Sequence, residues 1–305
     1  MGLKIVKFIF FGNYFVGMLA LVLTLESTLQ LQLPFNSIPY YLLICIAPIV
    51  YYTYAYIGVN QLTKASNPRT EWFLAHQRTI RASQLVLTIS AAGLLAYLTL
   101  HNFISILHLP LPYWLMVAGM LLAALLYYGL LPSYFFNLNL RNTGWLKPFI
   151  IGFVWACTAN LLPLIALRIE QGVPITGSVF WVWLFVKNWM FCTVNAIMFD
   201  MKDYEIDANR ELKTFAVRFG IQRTISYILI PLLIIGMVSL LVFTYLSHFH
   251  PYVIALNAIP FLLTAFVAYS MHQRKQILFY LIVIDGLILV KALCGILGAL
   301  SFRSS

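Results

Sequence analysis

The twelve residues DMKDYEIDANRE, from Asp200 to Glu211, contain five of the nine acidic residues of this 305-residue chain. Elsewhere the chain is strongly apolar, with 62% hydrophobic residues, 9% charged residues and a mean hydropathy of +0.89. Because the chain excludes charge from most of its length and concentrates carboxylates in one segment, that segment is predicted to bind a cation.

The apolar content also predicts the fold class. Soluble domains contain about 45–50% apolar residues, and a run of about twenty apolar residues crosses the ~30 Å hydrocarbon core of a membrane as one helix. The connections between the runs are short, so we expect an all-α, polytopic bundle that forms a single transmembrane domain over residues 1–305. Nine spans are predicted, at residues 8–25, 38–58, 84–107, 113–136, 147–167, 178–199, 224–247, 252–271 and 277–300.

The basic residues predict the orientation of this bundle. Nearly all Lys and Arg residues outside the spans fall on the side of the N-terminus, and the opposite side has only Arg168 and Arg303. The positive-inside rule therefore places the N-terminus and the acidic segment in the cytoplasm. Membrane topology explains the net charge of +10, and no nucleic-acid partner is expected. We expect an integral, multi-pass protein of the bacterial inner (plasma) membrane, in contact with its lipids.

Three of the carboxylates are predicted to share one helix face. Asp200, Asp203 and Asp207 follow the sixth span at spacings of three and four residues. Like charges at these spacings repel one another, and they also meet the negative end of the helix dipole. A bound Mg²⁺ would reverse both effects, because it takes one or two carboxylates and completes its coordination with water and phosphate oxygens. The competing interpretation is a solvated acidic loop that nearby basic residues neutralise.

A phosphate-bearing ligand would also need cations. Arg210 and Lys213 lie in the loop that contains the aspartates, and Arg141 and Lys147 lie in the loop between the fourth and fifth spans. Both loops are predicted to be on the same side of the membrane. Each of these four residues could instead serve only to set the topology.

The acidic segment resembles a known sequence motif. In the UbiA superfamily of intramembrane prenyltransferases, the second aspartate motif reads D-x-x-D-x-x-x-D, followed by a basic residue with Thr and then by V-R-x-G. Residues 146–163 are similar to the family's fifth helix, and nine spans with cytoplasmic acidic loops are similar as well. The chain is therefore identified as a divergent member whose second motif is intact, with Asp200, Asp203, Asp207, Lys213-Thr214 and Val217-Arg218-Phe-Gly220.

The resemblance implies a reaction and a set of site residues. Family members bind a prenyl diphosphate through Mg²⁺ at two aspartate motifs, and an aromatic or other lipophilic acceptor captures the allylic carbocation left when diphosphate departs. By this resemblance, the metal-binding and catalytic residues are Asp200, Asp203 and Asp207. The diphosphate-binding residues are Asn60, Lys64, Arg141, Lys147, Arg210 and Lys213. Nothing in the sequence indicates the oligomeric state.

The first aspartate motif departs from the family pattern, which reads N-D-x-x-D-x-x-x-D. Asn60 is retained, but the aspartate positions read Gln61, Lys64 and Pro68. Two interpretations follow from this change. In one, the Lys64 ammonium contacts the diphosphate directly and leaves a single Mg²⁺ site. In the other, the chemistry is lost and the UbiA-like fold serves a binding or assembly role.

Charged residues also occur inside the predicted spans. Lys187, Asp285 and Lys291 are such residues, and a charge at the centre of a span costs about 2.5–3.5 kcal/mol, so it usually faces the bundle interior. An ion pair between Asp285 and Lys187 is one hypothesis, either as a clamp between helices or as part of an acceptor site. A transporter would use such charges as substrate or proton sites, but the chain shows no inverted pair of broken helices.

Overall fold

The computed structural model describes residues 2–57, 68–128, 144–174, 178–204, 213–273 and 275–303. Every regular element within these ranges is helical, which confirms the predicted all-α class. In chain order, the principal helices are α1 (Gly2–Phe11), α2 (Tyr14–Gln30), α3 (Ile38–Ile57), α4 (Pro68–Ala75), α5 (Gln77–His101), α6 (Leu111–Tyr128), α7 (Lys147–Gln171), α8 (Val179–Asp200), α9 (Ile221–Leu246), α10 (Pro251–Ser270) and α11 (Ile277–Ser301).

The helices have the lengths and surfaces of membrane spans. Within the described ranges, α5, α7, α8, α9, α10 and α11 are long and apolar enough to cross a membrane, and the bent pair of α1 and α2 adds a seventh if it counts as one span. The apolar parts of α3 and α6 are shorter, at Ile38–Tyr54 and Leu111–Ala123. Each of the nine predicted spans overlaps one of these helices. Large apolar side chains such as Leu100, Tyr245 and Phe266 are exposed on the outside of the bundle, as expected where lipid is the solvent.

The first predicted span differs most from the structure. Residues 8–25 do not form one straight helix, because α1 and α2 meet at an angle of 65°. Asn13 lies between them with a φ of 64°, a conformation that Asn adopts more readily than most residues. Its side-chain amide donates a hydrogen bond to the Thr53 hydroxyl (3.1 Å), which fixes the bend against α3. The start of the third span also differs, since α5 begins at Gln77 and extends beyond its apolar part into polar residues.

Three of the described helices contain a π-helical segment: Cys157–Leu161 in α7, Ile225–Leu229 in α9 and Tyr280–Ile284 in α11. Pro163 and Pro231 follow the first two segments closely. Proline explains these wide turns, because it lacks the N–H that the helical ladder needs and its ring crowds the preceding turn. The segment in α11 has no such proline and leads directly into Asp285.

Helix α8 lies at the centre of the bundle and packs most extensively against α7. Gly152 of α7 permits the close contact, since a Cβ there would lie 2.9 Å from the carbonyl oxygen of Trp189 and would overlap Thr193. Small residues commonly allow helix backbones to approach in this way in membranes. The Trp189 indole N–H also donates to the carbonyl of Phe149 (2.8 Å). The C-terminal end of α8, which carries Asp200, is therefore held firmly against the start of α7.

Candidate functional site

Asp200 and Lys147 form an ion pair at one end of the bundle. Asp200 is the last residue of α8, and Lys147 is the first residue of α7. The Lys147 Nζ lies 2.6 Å from Oδ1 of Asp200, whose side chain is only 7% exposed. Charge-assisted hydrogen bonds of this length are among the strong ones in proteins. The structure thus brings together a predicted metal ligand and a predicted diphosphate-binding cation.

Asp203 is the more accessible of the two described aspartates. A 3₁₀ turn, Met201–Asp203, continues α8, and the Asp203 side chain is 34% exposed. Its Oδ2 lies 3.2 Å from Nζ of Lys202, and ion pairs this exposed are weak. Asp203 is therefore available to a ligand at the helix end.

The other predicted site residues divide into two groups. Lys213 is described and exposed. Five residues lie outside the described ranges, namely Asn60, Lys64, Arg141, Asp207 and Arg210. Their assignment remains a prediction from the sequence.

The two loops predicted to carry the cations meet at this end of the bundle. Gly144 lies so close to the backbone of Lys213 and Thr214 that a Cβ at Gly144 would lie 2.5 Å from the Thr214 nitrogen. The Thr214 hydroxyl accepts a hydrogen bond from the backbone N–H of Val217 (3.3 Å) and caps the short helix Phe215–Phe219. Gly220 ends that helix with a φ of 80°, where glycine carries no steric penalty. The threonine and the glycine of the motif thus have structural roles in placing Lys213 near the Lys147 end of α7.

Arg69 makes structural contacts directly after the changed first motif. It follows Pro68, is only 7% exposed, and donates to the Phe11 carbonyl (2.9 Å) and to the Asn13 side chain. Its guanidinium also lies 4.7 Å from the centre of the Tyr56 ring. Burial lowers the pKa of Arg69, while attraction to Tyr56 and Asp285 acts in the opposite direction. The start of α4 is thereby tied to the bend between α1 and α2.

A second polar cluster, whose pairing the sequence did not reveal, lies inside the bundle. Lys291 of α11 contacts Glu26 of α2 at 2.6 Å, and both side chains are almost fully buried. Lys291 also donates to the Asn188 side chain, whose amide donates to Oδ1 of Asn160 (3.1 Å). The Ser27 hydroxyl donates to the same oxygen (2.9 Å). The sequence indicated that Lys291 faces the bundle interior, but it did not indicate that Glu26 is its partner.

The hypothesised ion pair between Asp285 and Lys187 is wrong. The Lys187 Nζ instead donates to Oδ1 of Asn257 (2.9 Å), and Asp285 interacts electrostatically with Arg69 and Lys202. The physical reason is depth. At 1.5 Å per residue, Lys187 lies roughly 20 Å from the Asp200 end of α8, whereas Asp285 lies roughly 12 Å from the start of the antiparallel α11. The two residues are therefore at different levels in the bundle.

A magnesium ion fits the donor set at the end of α8. No group of three His, Cys, Asp or Glu side chains in the described ranges is arranged to hold a metal. Mg²⁺ does not require such a group, because it binds through one or two carboxylates and completes its coordination with water and phosphate oxygens. Asp200 and Asp203 supply two carboxylates. The Lys147 contact is compatible with this role, since an ionised carboxylate has about four acceptor positions.

A comparison with known proteins identifies the family. Residues 64–284, well over half of the chain, match the sequence model of the UbiA prenyltransferase family. No curated protein and no solved structure shows a significant match. The matched region includes both sides of the Lys147–Asp200 ion pair, the capped helix after Lys213 and the altered first motif from Lys64 onward. The chain belongs to the UbiA prenyltransferase family.

Proposed function

We propose that the chain is an intramembrane prenyltransferase that moves a prenyl group from a prenyl diphosphate to an aromatic or other lipophilic acceptor. The observation that carries this proposal is the ion pair of Lys147 with Asp200 at the end of α8. A cation that suits a phosphate and a carboxylate that suits a metal come from two different helices and meet at one point. The family membership supplies the class of reaction.

The residues at this end have distinct proposed roles. Asp200, Asp203 and Asp207 would hold Mg²⁺, which when bound neutralises charge on the diphosphate. Lys147 fixes the Asp200 carboxylate and would donate to a phosphate oxygen. Lys213 would approach the same phosphates from the neighbouring loop, and we assign Arg141 and Arg210 the same role from the sequence.

The chemical step needs stabilisation of the leaving group more than it needs a protein nucleophile. The bond between the allylic carbon and the diphosphate oxygen breaks, and its electron pair leaves with the diphosphate. The acceptor then donates an electron pair to the carbocation, forms the new bond and loses a proton. Lys147 and Lys213 would stabilise the departing charge, because fixed cations are most effective where charge develops. Water must be kept from the cation, and the apolar bundle provides that exclusion.

The altered first motif changes how many metal ions we propose for the site. Asn60 and Lys64 would contact the diphosphate directly, with the Lys64 ammonium in place of a second metal, so a single Mg²⁺ is proposed. A Lys64→Asp variant should change the Mg²⁺ concentration needed for diphosphate binding. An unchanged requirement would exclude this role for Lys64.

A second candidate function is a non-catalytic binding or assembly role. It is favoured by the loss of aspartates at Gln61, Lys64 and Pro68 and by the engagement of Arg69 in structural contacts. Both candidate functions use the same fold, but only the first requires an intact carboxylate site at the end of α8.

Binding of prenyl diphosphates tests the proposed site. Purified chain in lipid nanodiscs would be titrated with prenyl diphosphates of several chain lengths, with and without Mg²⁺. We expect Mg²⁺-dependent binding that Asp203→Asn weakens by about tenfold or more, as loss of one charge-assisted interaction implies. Glu71→Gln is the matched control, because Glu71 is an exposed carboxylate of α4 and is not among the proposed site residues. Absence of Mg²⁺-dependent binding for every chain length would refute the proposal.

A further inference from the structure

Asp285 is an acidic residue inside the bundle to which the proposed diphosphate site gives no role. It shares one face of α11 with Ile288 and Ala292, and both of these residues are buried. The Asp285 carboxylate therefore faces the bundle interior, although the residue is partly accessible. A charge inside a membrane span is costly and usually marks a functional position.

The helix changes its winding immediately before Asp285. Residues Tyr280–Ile284 form a π-helical segment, and regular α-helix resumes at Asp285. The π-helical segments of α7 and α9 are closely followed by prolines, whereas no proline follows this one in the chain. Single π-turns of this kind occur frequently at functional sites. The wider turn sets the direction in which Asp285 faces.

Packing places this part of α11 beside both motif regions. The ring of Tyr280 lies 6.5 Å from that of Phe199, the last residue but one of α8. Leu281 belongs to a buried apolar cluster with Trp72 of α4, and α4 begins directly after the altered first motif. The segment that leads into Asp285 therefore contacts the end of α8 on one side and α4 on the other.

Asp285 lies deeper in the bundle than the carboxylates at the end of α8. Five residues separate it from Tyr280, which is roughly 7 Å along the helix at 1.5 Å per residue. A diphosphate held by Asp200 and Asp203 would have its allylic carbon on the membrane side, because the prenyl chain is apolar. Among the described residues, Asp285 forms no metal-holding group with these aspartates. Its depth is that of the carbon to which the new bond forms.

The Asp285 carboxylate is available to a ligand. Among the residues that the structure describes, none donates a hydrogen bond to it or forms an ion pair with it. The charges of Arg69 on α4 and of Lys202 in the turn after α8 act on it. The Arg69 guanidinium, however, donates to the Phe11 carbonyl. The oxygens of Asp285 can therefore accept a hydrogen bond from a substrate.

We propose that Asp285 is a catalytic residue that receives the proton lost by the acceptor, an inference that rests on the proposed prenyl transfer. The electron pair of the bond between the allylic carbon and oxygen leaves with the diphosphate. The acceptor gives an electron pair to the allylic carbon and a proton to the Asp285 carboxylate. The carboxylic acid that forms returns its proton to water after the product leaves.

Separate measurements of binding and transfer distinguish a proton acceptor from a structural carboxylate. Membranes that contain the wild type, Asp285→Asn or the control Glu71→Gln would be incubated with a radiolabelled prenyl diphosphate and Mg²⁺. We expect Asp285→Asn to lower the transfer of label by about a hundredfold, as loss of a general base implies, with unchanged Mg²⁺-dependent binding of the prenyl diphosphate. Glu71→Gln should match the wild type in both measurements. Transfer at the wild-type rate in Asp285→Asn would overturn the proposal.

Chemical rescue gives a second test. Asp285→Ala removes the carboxylate and leaves room for a small acid, so formate should restore transfer in this variant and chloride should not. Failure of formate to restore transfer while binding is intact would overturn the proposal, as would parallel loss of binding and transfer in both Asp285 variants. A wild type that transfers label while these variants fail the test refutes only the role of Asp285. A wild type that neither binds nor transfers refutes the proposed function and this inference with it.

Discussion

Removal of Lys291 should destabilise the bundle more than removal of any exposed lysine. In Lys291→Met, the Glu26 carboxylate keeps its place between α2 and α11 but loses its ammonium partner at 2.6 Å. The two side chains are 0% and 4% exposed, so water cannot replace the lost contact. Breaking a pair this deeply buried typically costs about 3–5 kcal/mol, because one charge is left without compensation. We expect a loss of that size in the free energy of unfolding.

The assay is equilibrium unfolding in mixed micelles with increasing SDS, followed by far-UV circular dichroism. The double variant Glu26→Gln with Lys291→Met removes both charges and should be more stable than Lys291→Met alone, because no charge remains buried. Lys4→Met, at an exposed position of α1, serves as the control, with an expected effect of at most about 0.5 kcal/mol. A loss below about 1 kcal/mol for Lys291→Met, or a double variant that is less stable than the single one, would refute the reasoning.

Two further predictions concern helix packing. Gly152→Val should lower the free energy of unfolding by about 1–3 kcal/mol or more, because the added side-chain atoms would overlap the α8 backbone. The control is Gly93→Val, since a Cβ at Gly93 meets nothing within 4 Å, and equal unfolding midpoints for the two variants would contradict the packing described. Arg69→Met should release α1 from α4, because it removes the hydrogen bonds to the Phe11 carbonyl. Limited proteolysis should then cut the N-terminal region of the variant faster than that of the wild type, and an unchanged cleavage rate would contradict the anchoring role of Arg69.

The sequence allowed the general architecture to be predicted, because membrane burial imposes a simple length and polarity requirement on each span. It also indicated the end of α8 as the candidate site, since Asp200 and Asp203 are carboxylates in a chain that has few. The sequence contained a signal for the bend at Asn13, because Gly12-Asn13 is a pair found in tight turns. The long apolar run around that pair led us to expect a straight helix.

The interior contacts could not be predicted for a different reason. Which buried polar groups meet depends on the depth and the facing of antiparallel helices, and neither is fixed by spacing along one helix. Glu26 and Lys291 are 265 residues apart in the chain and nevertheless form an ion pair. Lys187 and Asp285 have opposite charges but lie at different levels. Pairing by charge alone therefore missed the contact between Glu26 and Lys291 and proposed one between Lys187 and Asp285 that does not form.

Transfer of a labelled prenyl group tests the central claim most directly. Membranes that contain the wild type, Asp203→Asn or Glu71→Gln would be incubated with a radiolabelled prenyl diphosphate and Mg²⁺, so that the native lipids supply the acceptor. The account predicts release of diphosphate and appearance of label in an apolar product for the wild type and for Glu71→Gln, with a loss of at least about tenfold for Asp203→Asn. Mg²⁺-dependent binding without any transfer, for every prenyl length, would contradict it and would support a binding or assembly role for the fold.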